Sequence, residues 1–191
     1  LPYQLELKAG GIKLEKLKSD TASRNKNISG TLLGELKLNG YANEINKLNG
    51  GGSFSILEGN LWEFNLLQGL GKLLFTKDLG NIKFSECVSD FLVKDKFVYT
   101  DNLKLKSNIV NFSGPLKIGF NGSLEGALDV EILSEMVPVS GTFKDITTAI
   151  IGGAGKFASI KLSGTLKEPK YSFKPAVTNI IKGLTDVLFG K

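Results

Sequence analysis

The chain has 191 residues, of which 41% are hydrophobic, and this is enough for one folded domain with a sizeable core. Its 23 glycines and 5 prolines are typical of a β-rich chain with many tight turns. The net charge of +5 comes almost entirely from lysines, with Arg24 as the single arginine. This charge favours diffuse attraction to anionic surfaces and argues against recognition of nucleic acid, which relies on arginine forks.

The first half of the chain alternates apolar and polar residues over short stretches. The alternation predicts a strand over residues 3–8 that resumes over 12–17, a strand over 32–38 and a short strand at 54–56. Residues 40–52 are rich in glycine, and we expect them to form a long connection. Leucines at helical spacing over 61–74 predict one short or broken helix, since Gly69 and Gly71 interrupt it.

The second half returns to the period of two and ends in helical patterns. Strands are predicted over 84–93, 97–99, 103–105, 160–166 and 171–173, with a bend at 100–102. A helix is predicted over 142–151. Another begins at Pro175, with apolar residues at i, i+3, i+4 and i+7 spacing, and Gly190 can cap it.

The longest regular pattern covers residues 110–132, where every second residue is apolar or glycine. It predicts an antiparallel hairpin with one apolar face, turning at residues 121–123 with Phe120 opposite Leu124. Gly114, Gly122 and Gly126 are expected to leave room along this face. If the sheet curls, the following bulky residues form the candidate lining of a lipid-binding groove: Val110, Phe112, Leu116, Ile118, Phe120, Leu124, Leu128 and Val130.

Catalytic and metal-binding chemistry has few candidates in this sequence. There is no histidine, so the commonest general base and zinc ligand are missing, and Cys87 alone makes neither a thiolate metal site nor an internal disulfide. Residues 152–156 are similar to a phosphate-binding loop, but Ile150 and Phe157 stand where that motif requires a glycine and a hydroxyl. We therefore expect a non-enzymatic protein with no catalytic residues, no metal and no cofactor.

Four segments, taken in order, resemble the C-terminal region of the AsmA-like family of bacterial envelope proteins, the relatives of AsmA, TamB and YhdP. They are GGGSFSILEGNLWEFNLLQGLGKLL, FSECVSDFLVKDKFVYTDNLKLKS, GPLKIGFNGSLEGALDVEI and SGTLKEPKYSF. Together they lie within about residues 30–175. The resemblance implies a periplasmic protein anchored in the inner membrane by an N-terminal helix outside this chain. It also implies a part in outer-membrane assembly or in moving phospholipid between membranes along a hydrophobic β-groove, with envelope proteins as possible partners and no catalytic residues to carry over.

These patterns lead to one fold and several functions. The predicted fold is mainly β, a curved antiparallel sheet that forms a groove or half-barrel, with two or three short amphipathic helices. Residues 1–191 are expected to form a single domain, the C-terminal fragment of a longer envelope protein. The first functional hypothesis is lipid handling, with phospholipid or another lipid as partner. The alternatives are a structural or adhesive β-module that binds a protein or a cell-wall polymer, its apolar face being only a packed core, and a lipid-carrying β-barrel of another family.

Overall fold

The computed structural model describes residues 1–18, 25–75, 82–133 and 158–175. In this part of the chain, nine strands form one antiparallel sheet in which spatial order follows sequence order, so β1 and β9 are its edges. The strands are β1 Pro2–Lys13, β2 Ser29–Tyr41, β3 Glu44–Asn60, β4 Phe84–Lys94, β5 Phe97–Ser107, β6 Val110–Gly119, β7 Leu124–Ile132, β8 Ala158–Gly164 and β9 Pro169–Pro175. The helices are α1 Leu14–Leu17 and α2 Asn65–Leu74.

The predicted fold class is confirmed, because the described residues form one large antiparallel sheet with two short helices. Helix α2 falls within the predicted segment 61–74. The strand predicted over 12–17 is wrong beyond Lys13, where the short helix α1 begins. The helix predicted over 142–151 and the one predicted from Pro175 lie outside the described residues, apart from Pro175 itself, which ends β9.

The long connection predicted at residues 40–52 is wrong, since this segment is the tip of a hairpin formed by β2 and β3. Only Ala42 and Asn43 stand between the two strands. The glycines lie inside β3 because neighbouring strands approach it too closely for a side chain. A Cβ on Gly52 would lie 2.0 Å from the carbonyl oxygen of Glu35, and one on Gly51 would lie 2.6 Å from that of Phe91. These glycines therefore mark close packing of strands instead of a turn.

The hairpin formed by β6 and β7 is confirmed, but its predicted register is wrong by two residues. Leu124 lies opposite Ile118, where the sequence predicted Phe120. Phe120 leaves the ladder because its N–H donates to the carbonyl of Lys96 in the turn between β4 and β5, at 2.9 Å. A shift of two residues preserves the face of every side chain, so the predicted apolar face is retained.

The bend predicted at residues 100–102 is a β-bulge within β5. The pairing of β5 with β6 shifts between Thr100 and Leu103. On the other side of β5, its pairing with β4 is interrupted between Val88 and Leu92. There the side-chain oxygen of Asn102 accepts a hydrogen bond from the N–H of Asp90 at 2.9 Å, which bridges the gap. The strand therefore continues through the bulge to Ser107.

Candidate functional site

One apolar face runs across all nine strands of the sheet. Residues directly opposite one another in an antiparallel pair share a face. Leu7 of β1 lies opposite Leu36 of β2, which lies opposite Gly52 of β3, itself opposite Phe91 of β4. In the other half of the sheet, Phe112, Val130 and Ala158 follow one another in the same way. The face is therefore continuous from edge to edge, and what covers it decides where a ligand could bind.

The sequence-predicted lining residues lie mostly in the protein core. Six of the eight are at most 7% exposed and belong to one buried cluster with Leu67, Leu70 and Leu74 of α2: Val110, Phe112, Leu116, Leu124, Leu128 and Val130. Ile118 packs at the border of this cluster and is half-buried. Phe120 lies in the loop after β6 and is 39% exposed. The structure thus brings six of these residues together, joined by Ile118 at their margin, and leaves Phe120 apart.

The room expected at the glycines of this row is already occupied by protein atoms. A Cβ on Gly126 would lie 2.5 Å from Cδ2 of Leu116, and one on Gly114 would lie 2.2 Å from the carbonyl oxygen of Ala127. Gly122 is open, but it lies in the loop with a φ of +83°, where its role is to turn the chain. The two strand glycines serve close packing, so this half of the face has no trough along them.

Helix α2 is the cover of this half. Its buried residues Leu67, Leu70 and Leu74 recur at three- and four-residue spacing, which directs them to one side of the helix. An aromatic row continues the packing beneath, with Trp62 and Phe84 centred 6.3 Å apart and Phe84 and Phe112 centred 6.5 Å apart. The two glycines of α2 allow this close packing. A Cβ on Gly71 would meet the Trp62 ring, and a Cβ on Gly69 would meet the Tyr171 ring.

Tyr171 ties α2 to the far edge of the sheet. Its hydroxyl donates a hydrogen bond of 3.0 Å to the carbonyl of Leu66, and burial raises the pKa of this phenol to about 12. Contacts between α2 and β9 accompany this bond. The helix is therefore held at the edge farthest from β1.

Among the described residues, the apolar face is most open on β1, and its residues on β2 and β3 are half-buried. On β1, Tyr3, Leu5, Leu7 and Ile12 are between 38% and 51% exposed although they lie on the same face as the core. We call this region the open trough. It encloses about 340 Å³, and its lining is mainly apolar: Leu7, Ala9, Ile12, Leu32, Gly34, Leu36, Phe54 and Phe91, with Lys8, Glu35 and Ser53 at its margins.

Charged residues of both signs lie on the opposite face of β1 and β2, and two of them, Lys8 and Glu35, also border the open trough. Lys8 lies opposite Glu35 in the ladder, and Glu6 lies 3.5 Å from the ammonium of Lys37 and 3.8 Å from that of Lys8. These pairs are exposed, and exposed pairs add at most about 1 kcal/mol to stability. Because the charges nearly balance, apolar contact is the main attraction that this region can offer a ligand.

The described residues hold little that resembles an active site. They contain no cluster of three or more acidic, cysteine or histidine side chains that could hold a metal ion. Cys87 is buried, and burial raises the pKa of its thiol to about 12, so it is protonated at neutral pH and a poor nucleophile. Neither described helix has the length and apolar character needed to cross a membrane.

We expect the Cys87 thiol to resist alkylation in the folded protein. At pH 8 iodoacetamide should label it slowly, and in about 8 M urea the labelling should reach the rate of a free cysteine, since unfolding restores an ordinary pKa. The same shift predicts loss of stability with rising pH between about 9 and 12, because only the unfolded thiol ionises in that window. Mass spectrometry follows the labelling, and equal rates with and without urea would show that Cys87 is open to solvent.

The strands that form the open trough could be predicted from the sequence, but their exposure to solvent could not. The alternation over 3–8 and 32–38 is as regular as that over 110–132. The patterns over 3–8 and 32–38 are shorter than the one over 110–132. The local sequence does not indicate which strands a helix will cover. Phe54 and Phe91 join the trough through the pairing of β3 with β4, two neighbouring strands that helix α2 separates in sequence, and their rings lie 6.3 Å apart.

No family model matches the chain, and comparisons with curated proteins and with solved structures find no similar protein.

Proposed function

We propose that this chain is a non-enzymatic, lipid-handling module of the bacterial cell envelope, and that an acyl chain binds in the open trough. The observation that carries the proposal is that the apolar face of the sheet continues past the half-buried positions of β2 and β3 to β1, where its residues remain 38% to 51% exposed among the described residues. Large contiguous apolar patches that are exposed to solvent are typical of binding sites. The resemblance to AsmA-like proteins supports the same class of function, with a periplasmic location and an anchor outside this chain.

The dimensions of the open trough suit an acyl chain. From Leu7 to Ile12, the part of β1 that lines the trough, the strand extends about 17 Å at about 3.4 Å per residue, which is close to the hydrocarbon depth of one bilayer leaflet, about 15 Å. The opposite face of the same strands carries Gln4, Glu6 and Lys8, so it stays in water. A lipid tail could therefore lie along the strands on one side only.

The six core residues define the structural alternative. Side chains of α2 pack with them, so this half of the sheet is complete without a ligand. If the open trough likewise takes no lipid, the domain is a structural β-module that binds a protein or a cell-wall polymer. A test must therefore read lipid contact at single positions on both halves of the face.

Site-specific photo-crosslinking provides this test. With p-benzoylphenylalanine at Leu36, in the floor of the open trough, we expect adducts with radiolabelled phospholipid from phosphatidylethanolamine–phosphatidylglycerol vesicles. The matched control is Lys37, the next residue of β2, which lies on the opposite face, and no adduct is expected there. Ile118 reports on the half of the face near the core, where we expect much weaker labelling.

The outcomes separate the functions. Adducts at Leu36 but not at Lys37 support the open trough. Strong adducts at Ile118 with none at Leu36 would move the lipid to the row of residues 110–132 and require α2 to be displaced. Absence of adducts at all three positions in folded protein would remove the lipid hypothesis and leave the structural module.

A further inference from the structure

The two edges of the sheet differ in how well they are protected against further pairing. Strand β9 has seven residues and carries a proline at each end, Pro169 and Pro175, and proline has no N–H to donate. Strand β1 has twelve residues and a proline only at Pro2. Among the described residues β1 pairs with β2 alone. The long edge is thus the one suited to accept another strand.

One hydrogen bond identifies which backbone groups of β1 point away from the sheet. The carbonyl of Leu1 accepts the N–H of Ala42 at 2.8 Å, so Leu1 is bonded toward β2. Backbone groups alternate along an antiparallel ladder, and the odd-numbered residues of β1 therefore bond to β2. The N–H and C=O groups of four even-numbered residues point away from the sheet: Gln4, Glu6, Lys8 and Gly10.

We propose that β1 is an interface between two copies of this chain, joined as an antiparallel ladder centred on Leu7. In this register Glu6 lies opposite Lys8 of the second copy, and Lys8 opposite Glu6 of the second copy. Lys8 and Glu6 are paired with each other, and Glu6 also with Lys37, but their side chains are 72% and 46% exposed, so these contacts can be exchanged for contacts with the second copy. Opposite charges facing each other across strands stabilise pairing.

Competing registers are disfavoured by the same residues. A ladder centred on Glu6 would place this carboxylate opposite its own copy, and a ladder centred on Lys8 would oppose two ammonium groups. Registers centred between residues would place leucines opposite polar residues and break the apolar face. The bulge after Gly10 ends the regular strand, and the segment from Gln4 to Gly10 that remains is symmetric about Leu7.

The joined sheet would have its apolar faces on the same side. Leu5 would lie opposite Ala9 of the second copy, and Leu7 opposite Leu7, so the two open troughs would merge. Four pairs of outward-facing residues would form eight backbone hydrogen bonds. The interface depends on the edge of β1 and stands whether or not lipid occupies the trough.

Disulfide trapping tests the register directly. In the proposed ladder the two Leu7 residues form a non-hydrogen-bonded pair, with Cα atoms about 4.5 Å apart, within the range that a disulfide spans. In a glutathione redox buffer, Leu7→Cys should form a covalent dimer on a non-reducing gel. The matched control is Leu5→Cys on the same face of the same strand, whose two copies would lie about 13 Å apart and should stay monomeric. The native Cys87 is buried and does not compete.

A charge-mixing experiment tests the same interface without new cysteines. Glu6→Lys places two lysine pairs across the ladder and Lys8→Glu two glutamate pairs, so each should weaken dimerisation about tenfold. An equimolar mixture of the two variants restores opposite charges at every pair, and heterodimers should form with the affinity of the unmodified chain. Sedimentation velocity measures the four dissociation constants, those of the unmodified chain, the two variants and their mixture, and circular dichroism checks that each variant is folded.

The proposal is overturned if the unmodified chain remains monomeric up to about 100 μM. It is equally overturned if Leu5→Cys crosslinks as well as Leu7→Cys, or if mixing the charge variants fails to restore association.

Discussion

Leu116→Asp is expected to destabilise the protein by more than about 4 kcal/mol, enough to unfold a marginally stable domain. Leu116 is 7% exposed and belongs to the buried cluster under α2. It lies opposite Gly126, and its side chain occupies the space which that glycine leaves. A carboxylate there would lose its hydration with no cationic partner among the residues of the cluster. Urea denaturation followed by circular dichroism measures the change.

The neighbouring residue provides the control, since Lys117 lies on the opposite face of β6. Its ammonium is 4.2 Å from the centre of the Phe97 ring, and it lies opposite Glu125. Lys117→Asp removes this contact and opposes two carboxylates, for which we expect a loss of about 1 kcal/mol. Equal losses for the two variants would mean that the faces of β6 are assigned wrongly or that water reaches Leu116.

Much of the fold was predictable because side-chain alternation is a local property. The pattern over residues 110–132 identified β6, β7 and their buried face, and the leucine spacing identified α2. The register of the hairpin was not predictable in this way, since it depends on a hydrogen bond from Phe120 to Lys96, which is contributed by another hairpin. A two-residue shift leaves the alternation unchanged, so the pattern carries no information about it.

The candidate site was less predictable than the fold, because two similar alternating patterns have different environments. Leu36 and Leu116 are each followed by a lysine on the opposite face, yet α2 covers the part of the face around Leu116 and not the part around Leu36. The cover comes from a helix that lies between β3 and β4 in sequence, and its placement across the later strands is a tertiary property. Alternation identifies an apolar face, while burial of that face depends on the whole chain.

The glycines of β3 also show that local sequence does not determine how a segment packs. The run from Gly50 to Gly52 contributes to the prediction of a long connection over residues 40–52 when only the local sequence is considered. In the sheet these residues lie between the backbones of β2 and β4, where the absence of a side chain allows close approach. Backbone flexibility and close packing both select glycine, and only the neighbouring strands distinguish them.

Gly52→Ala is therefore expected to destabilise the protein by about 3 kcal/mol, as overpacking of a rigid site does. The new Cβ would lie 2.0 Å from the carbonyl oxygen of Glu35 and 3.0 Å from the Cα of Leu36. Both are backbone atoms, so no side-chain rotation relieves the contact and β2 must move away from β3. As β2 and β3 separate, the floor of the open trough would widen, because Gly52 lies opposite Leu36.

Gly10→Ala is the matched control, since it adds the same methyl group to a glycine of the same sheet. A Cβ on Gly10 meets no atom within 4 Å, so the change should stay within about 0.5 kcal/mol. Urea midpoints of the two variants give the comparison, and amide hydrogen exchange locates the effect. Faster exchange at Glu35 and Lys37, whose backbone groups bond to β3, is expected in the Gly52 variant alone if the glycines clamp β2 against β3. Equal midpoints would mean that the strands yield easily, and the close approach at Gly52 would then be unimportant for stability.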